Sequence, residues 1–541
     1  MKVSVNLCLV AASLLLPSCD QPSAANLPAG AVPAAPAVAA VAGEPTTDPM
    51  KSVLRLRTTM QNYNPGQPWE KNPSVSRRGL GAYLAGGLVV TTADMVADTT
   101  FLELESPDGT RTAPARVVAV DYEANLALVA PESLNSPAAK AAGVAGEAAE
   151  VAQAPVVGDP HPVFAGMTPL AIGTAPALGD TLEILQIEEN GVPLVTRGQL
   201  QSVDIVSSFL PDNFFLTFRV KASMQSVASS YTLPVVRDGK LVGVLTSYDS
   251  GEQISDVTST DVLSHFVKEA SDGQYTGFPS LGLSAVRTDD NHFRSWLKIP
   301  AGQGGLFVAK VRPESAAMLA GVREGDVLLA IDEHALDRRG YYEDSRYGRI
   351  FWSHLVRGLR SVGDSVKLSL LRDGAPLEVN ATLVRDEEGA GLIPKHSYDR
   401  PPNYLVKGGM VFQELTRSLL EAYGKEWELR APMNLLNALE NPEEYEEGRR
   451  RLVVLTGIIP TPATVGYEEV RNLIVTEVNG RKVEDVASLV TAFGAVAPGR
   501  PHQIKFDEAP YQIFLDGAAA DAVDAQLRQR GLAELSRTGG N

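Results

Sequence analysis

Across residues 52–270 the apolar positions come in short runs divided by turn residues. Phe101-Leu102-Glu103-Leu104-Glu105 alternates with a period of two, as a strand with one buried face does. Pro107-Asp108-Gly109 then turns the chain into residues 115–120, and the apolar run 126–129 follows. Residues 182–187 and 192–196 flank Glu189-Asn190-Gly191 and predict a hairpin. Residues 234–236 and 241–245 flank Asp238-Gly239 and predict another. Many short strands at this spacing predict a barrel or a sandwich. Residues 135–155, rich in Ala, Gly and small side chains, predict a loop joining two halves.

The length of 541 residues, at roughly 150 residues per domain, predicts three or four domains. Hydrophobic residues are 44% and charged residues 21%, a globular rather than a disordered balance. The net charge of −17 argues against nucleic acid, because neutralising phosphates needs a basic face. Gly (47) and Pro (36) are enriched and favour turn-rich β structure. The two cysteines, Cys8 and Cys19, both lie near the start, so the folded domains have no disulfide framework.

Lys2 precedes a largely apolar run over residues 7–16, then Pro17-Ser18-Cys19-Asp20. About ten apolar residues reach about 15 Å as a helix, half of a bilayer core, which predicts a signal-peptide core and not a membrane span. Leu16, Ser18 and Cys19 resemble a bacterial lipobox, with Pro17 an unusual residue at its second position. The expectation is cleavage before Cys19 and lipidation of its thiol; the alternative is an ordinary secretory signal with an incidental cysteine. Residues 20–50 are almost entirely Ala, Pro, Gly, Val and small polar residues, and predict a flexible tether to a membrane.

Gly79-Leu80-Gly81-Ala82-Tyr83-Leu84, Leu88-Val89-Val90-Thr91-Thr92, Asp121 and Leu126-Ala127-Leu128-Val129 resemble the first barrel of HtrA/Deg serine proteases. Gly179-Asp180-Thr181, Thr196-Arg197-Gly198 and the hairpin at Pro234 are similar to their second barrel. Gly277-Phe278-Pro279-Ser280-Leu281-Gly282-Leu283-Ser284, Pro313-Glu314-Ser315-Ala316-Ala317, Glu324-Gly325-Asp326 and Arg372-Asp373-Gly374 resemble the PDZ domain of plant-type Deg proteins. Gly408-Gly409-Met410-Val411-Phe412, Gly466-Tyr467-Glu468-Glu469 and Val478-Asn479-Gly480 resemble their second, divergent PDZ-like domain. The resemblance implies a mainly β fold: a trypsin-like double β-barrel followed by two PDZ-like domains of α+β type. It divides the chain into a lipoprotein signal (1–18), a tether (19–50), the double barrel (51–270), a first PDZ domain (275–388) and a second PDZ-like domain (392–532).

Serine-protease catalysis needs a hydroxyl nucleophile, an imidazole to take its proton, a carboxylate to orient the imidazole, and backbone N–H groups facing the oxyanion. The resemblance puts the triad at Asp94, Asn125 and Tyr231, with Ser229-Ser230-Tyr231-Thr232-Leu233-Pro234 in place of the family's glycine-rich nucleophile loop. An Asp, with an ordinary pKa near 3.9, is a poor proton shuttle at neutral pH. Tyr231 is a bulky phenol, and Ser229 replaces a glycine that would aim an N–H at the oxyanion. A second test needs no alignment. The histidines are His161, His265, His292, His334, His354, His396 and His502, and none lies in the segment that forms the first barrel. The expectation is therefore no catalytic residue and a pseudoprotease. The alternatives are an active endopeptidase rebuilt around Ser229 and Ser230, and a purely structural oligomer. His161, in Asp159-Pro160-His161-Pro162, is expected on a surface loop.

The scattered histidines lack metal-ligand spacing, so no metal and no cofactor is expected. Arg338-Arg339-Gly340-Tyr341-Tyr342 through Trp352 mixes bases and aromatics but carries Glu343 and Asp344, and predicts an insertion packed on a neighbouring domain. Residues 443–447 before Arg449-Arg450-Arg451 predict a solvated helical face with i,i+4 pairs. A PDZ domain adds a peptide as a strand and receives its terminal carboxylate on backbone N–H groups. The resemblance implies that Ser280, Leu281, Gly282, Leu283 and Ser284 form that site, filled either by a peptide or internally. The expected partners are peptide or unfolded clients, the membrane through the lipid, and further copies in trimers or hexamers. The expected location is the bacterial cell envelope, on the periplasmic side in a Gram-negative cell.

Overall fold

The computed structural model describes residues 48–132, 161–188, 190–211, 213–224, 232–271, 275–385 and 391–539, all within one compact unit, Thr47–Asn541. Cys19, the signal, the tether up to residue 47, and Ser229, Ser230 and Tyr231 lie outside the described residues.

The first eight strands are β1 (Val53–Met60), β2 (Tyr63–Asn64), β3 (Gln67–Lys71), β4 (Val75–Leu84), β5 (Leu88–Thr91), β6 (Thr99–Glu105), β7 (Thr112–Asp121) and β8 (Leu126–Pro131). Six of them close a barrel in the order β1-β4-β5-β8-β7-β6, and β2 and β3 form a hairpin off it. The alternation at 101–105 is realised: Leu102 and Leu104 are buried while Phe101 is exposed. Gly81 lets the barrel close, since a Cβ there would lie 2.5 Å from Val89 Cγ1 and 2.8 Å from Leu56 Cδ1.

A second closed barrel follows, from β9 (Thr181–Ile187), β10 (Pro193–Val206), β11 (Phe215–Lys221), β12 (Leu233–Arg237), β13 (Lys240–Asp249) and β14 (Ile254–Thr258), ordered β10-β11-β14-β13-β12-β9. Both expected hairpins form, β9 with β10 and β12 with β13. The end of this region is not a strand. Thr260–Ala270 is the helix α1, capped by Ser259 Oγ accepting the Val262 N–H, with Val262, Leu263 and Phe266 buried.

The middle module holds a mixed set of short elements: β15 (Pro279–Ser280), β16 (Leu283–Val286), α2 (Asn291–Trp296), β17 (Leu306–Val311), α3 (Ala316–Leu319), β18 (Val327–Ile331) and β19 (His334–Ala335). They are followed by β20 (Tyr341–Asp344), β21 (Gly348–Phe351), α4 (Ser353–Arg357), β22 (Ser365–Arg372), β23 (Ala375–Thr382) and β24 (Val384–Arg385). The main sheet runs β16-β17-β18-β22-β23, which leaves β16 at an edge. The insertion expected to pack on a neighbour is the β20–β21 hairpin, and it lies on the second barrel. Tyr347 sits 6.0 Å from Phe218, and Arg346 donates to both carboxylate oxygens of Asp261 on α1 at 3.1 and 2.8 Å. Arg357 of α4 pairs with Glu123 and donates to Asn213 Oδ1 at 3.1 Å. One apolar core is continuous from Leu126 of the first barrel through Phe218 to Leu328 and Val366 of the middle sheet.

The last module begins with β25 (Tyr404–Lys407), β26 (Met410–Glu414), α5 (Arg417–Glu421), α6 (Trp427–Arg430), α7 (Met433–Glu440), β27 (Val453–Ile458) and β28 (Leu473–Val478). It ends with β29 (Arg481–Lys482), α8 (Val486–Gly494), β30 (His502–Phe506), β31 (Gln512–Leu515), α9 (Gly517–Gln529) and β32 (Ser536–Arg537). The strand order is β31-β30-β28-β27-β26-β25-β32, over a separate core that includes Phe412, Val475 and Leu489. The β2–β3 hairpin of the first barrel docks here: Trp69 is 6.0 Å from Tyr404, and Gln413 Nε2 donates to Pro65 O at 3.0 Å. The acidic run at 443–447 is a correction. Only one 3-10 turn, Pro442–Glu444, forms, since Pro442 starts it and Gly448 has a φ of 69°. Its charges pair with other elements: Glu443 with Lys310 at 2.6 Å, and Arg450 with Asp485 at 2.7 Å.

Candidate functional site

The strand β5 delivers Thr92 and then a 3-10 turn, Ala93–Met95, that carries Asp94. Asn125 stands at the foot of β8, 4% exposed, with a φ of 54° that Asn tolerates better than most residues. The fold brings these two sequence-selected positions together. Asn125 Oδ1 accepts the backbone N–H of Asp94 at 3.0 Å. The Asp94 carboxylate faces outward to the Arg77 guanidinium at 3.6 Å. The connection that carries Asn125 is braced by buried Asp121, which accepts from the Ala124 N–H and the Tyr275 hydroxyl, both at 2.7 Å.

Tyr231, the third position, lies outside the described residues, but its neighbour Thr232 is placed. Thr232 Oγ1 and Thr92 Oγ1 are 2.7 Å apart in a buried bond, and Leu80 N–H donates to Thr232 O at 3.3 Å. The start of β12 is thereby fastened to the first barrel beside Asp94. The first barrel's strands end at Pro131, before the first histidine of the chain. His161 is half-buried, and its Nδ1 accepts the Val163 N–H at 3.2 Å where the 3-10 turn Pro162–Phe164 begins; burial holds its pKa below the usual histidine range.

In the middle module, residues 280–284 form a tight bend into the edge strand β16. Leu281 is buried, Leu283 half-buried and Ser284 exposed. Gly282 has a φ of 70°, and a Cβ there would lie 2.3 Å from Ser315 Cβ, so both conformation and space require glycine. Leu281 O accepts from Ala317 N–H and Gly282 O from Arg312 N–H, both at 2.9 Å. The Gly282 N–H itself donates to Ser280 Oγ at 3.0 Å. Arg312, which the sequence did not single out, reaches the same hydroxyl at 3.4 Å. A bend of this kind, beside an unextended sheet edge and a guanidinium, can add a strand and hold a carboxylate. Among the described residues no cluster of His, Cys, Asp and Glu could hold a metal, and no helix is long and apolar enough to cross a membrane.

Two closed six-stranded barrels followed by a PDZ-type module define a mainly β, trypsin-like architecture. Residues 393–531 match the PDZ domain family (PDZ_3). The chain is similar to Protease Do-like 4, mitochondrial, of Arabidopsis thaliana: 24% identical over 443 residues, covering 81% of this chain and 76% of that one. It is also similar to Protease Do-like 2, chloroplastic, of the same plant, at 24% over 457 residues, covering 82% and 69%. Among solved structures, HtrA-type protease AlgW with decapeptide aligns with a TM-score of 0.43 at 18% identity, over 62% of this chain and 96% of that one. The homologues are Deg/HtrA proteases, as the sequence motifs imply.

Proposed function

We propose that the chain is a Deg/HtrA-like pseudoprotease that binds peptides or unfolded polypeptides through its PDZ modules. The observation that carries this reading is that the first barrel, where an imidazole base must sit, is built from a segment without histidine. Asn125 supports it, because it offers a neutral amide where an orienting carboxylate is needed, with its oxygen accepting the Asp94 backbone N–H. The edge strand β16, the bend at Gly282 and nearby Arg312 support peptide capture by strand addition. Cys19 tethers the chain to a membrane of the bacterial envelope, and copies assemble as in the HtrA family.

Purified protein incubated with unfolded casein and with a fluorophosphonate probe tests the reading. No cleavage above a Tyr231→Ala control and no labelling are expected. Cleavage abolished by that substitution, or labelling of Ser229 or Ser230, overturns it in favour of a working endopeptidase. Peptides co-purifying with the wild type and lost from Gly282→Ala separate a client binder from a purely structural oligomer. Cys19→Ala should shift the chain from membrane to soluble fractions.

A further inference from the structure

Between β26 and β27 the last module carries a helical insertion, α5 to α7, that is strongly acidic. Residues 421–447 hold eight glutamates against Lys425 and Arg430. One face of α7 belongs to the interior, where Leu435 and Ala438 are buried. Another face presents Met433, Leu436, Asn437 and Glu440, which recur at helical spacing. Together with Trp427 of α6, Tyr445 and Glu508 of the β30–β31 turn, that face walls a groove of about 620 Å³. A volume of this order receives several side chains of a ligand.

The groups of the groove divide by use. Its neutral amides hold the walls: Asn437 Nδ2 donates to the Tyr445 hydroxyl at 3.0 Å, and Asn434 Nδ2 to Asn472 O at 2.9 Å. The Arg417 guanidinium lies over the Trp427 ring, 5.4 Å from its centre. Three other glutamates of the insertion have cations: Glu421 has Arg417 at 3.1 Å, Glu426 has Arg430 at 3.0 Å, and Glu443 has Lys310 at 2.6 Å. Glu428, Glu440 and Glu508 are exposed and form no ion pair among the described residues. Met433 is 79% exposed and Leu429, next to Glu428, is 85% exposed. Large apolar side chains this far out of the core add nothing to the packing of the chain itself. Set among uncompensated carboxylates, they match a partner that brings apolar bulk and positive charge together.

We propose that this groove on the α6–α7 insertion is a docking site for a cationic amphipathic segment of a partner protein. Bulky apolar residues of the segment seat on Trp427, Met433 and Leu436, while Lys or Arg on its flanks faces Glu428, Glu440 and Glu508. The same carboxylates repel nucleic acid and acidic peptides. The charges steer the encounter and lose force in salt, and the apolar anchors supply most of the affinity. The inference depends neither on the site at Gly282 nor on whether the barrels hydrolyse anything.

The test uses the full chain and a fluorescein-labelled peptide of leucine and lysine, its leucines at helical spacing, read by anisotropy. Binding is expected, and it should weaken about tenfold from low to high salt. Glu428→Gln with Glu440→Gln should weaken it about tenfold, and Met433→Ser by a similar factor. Glu70→Gln with Glu333→Gln removes the same charge from exposed positions outside the groove and should bind as the wild type does. No binding, groove variants that bind like the wild type, or equal loss in the two glutamine pairs overturns the proposal. So does equal binding of a peptide with the same composition in scrambled order. Should Met433→Ser misfold by circular dichroism, hydrogen exchange on the wild type decides. About tenfold slower exchange over residues 427–440 is expected when the peptide is added, and unchanged exchange there overturns the proposal. An oligomer in sedimentation velocity that a folded Met433→Ser dissolves would make the groove a contact between copies, and would also overturn it.

Discussion

The side-chain carbonyl of Asn125 accepts the main-chain N–H of Asp94 across 3.0 Å, tying the start of β8 to the 3-10 turn after β5. The bond closes the turn that carries Asp94. Asn125→Ala should therefore act on stability: it leaves the Asp94 amide unpaired and puts alanine at a φ of 54°. A loss of about 2–4 kcal/mol is expected in denaturant unfolding. Asn125→Asp keeps the acceptor and should lose less.

Thr92 and Thr232 provide a bridge between the barrels through hydroxyls 2.7 Å apart. Each single change to valine should cost about 1 kcal/mol, and the double change less than the sum, with a coupling of about 1 kcal/mol in a double-mutant cycle. Strict additivity would mean that the bridge contributes nothing.

At Gly282, alanine meets two penalties: a left-handed backbone and Ser315 Cβ at 2.3 Å. Gly282→Ala should cost about 2–4 kcal/mol and abolish peptide capture by the middle module. Adding Ser315→Gly should restore part of the stability, because it removes the overlap and leaves only the backbone strain.

How much of this was legible in the sequence depends on the range of the interaction. The alternation at 101–105 and the turn at Asp238-Gly239 are local, and they gave strands and a hairpin where the structure has them. The bend at Gly282 and the pairing of Asp94 with Asn125 were legible only through the family pattern. Helix α1 escaped notice because its apolar residues recur at helical spacing directly after a strand, and Ser259, its cap, reads equally well as a turn. Arg449-Arg450-Arg451 misled because Pro442 and Gly448 break the helix that its charge spacing suggested. The meeting of Phe209, Tyr122 and Tyr398 leaves no trace in the chain order, since nothing local in one segment specifies the others.

His354 yields a pH prediction. It is 2% exposed on α4, neither ring nitrogen has a hydrogen-bond partner, and Asp261 lies 3.8 Å away. Burial is the main cause that lowers its pKa to about 4; Asp261 and Asp344 oppose the shift and Arg346 reinforces it. The folded state thus favours the neutral ring, so its contribution is complete above about pH 6.5 and is lost as the pH falls towards about 4. Melting temperatures between those values should fall more steeply for the wild type than for His354→Leu. Parallel curves would exclude this residue as the source.

Because the second cylinder and the middle sheet share one uninterrupted interior, the sheet is a fixed bracket and not a pendulum. A tug on a chain gripped along β16 is borne by α1 and the strands beneath it. A strand added there would keep a constant bearing from both cylinders, like work clamped in a vice.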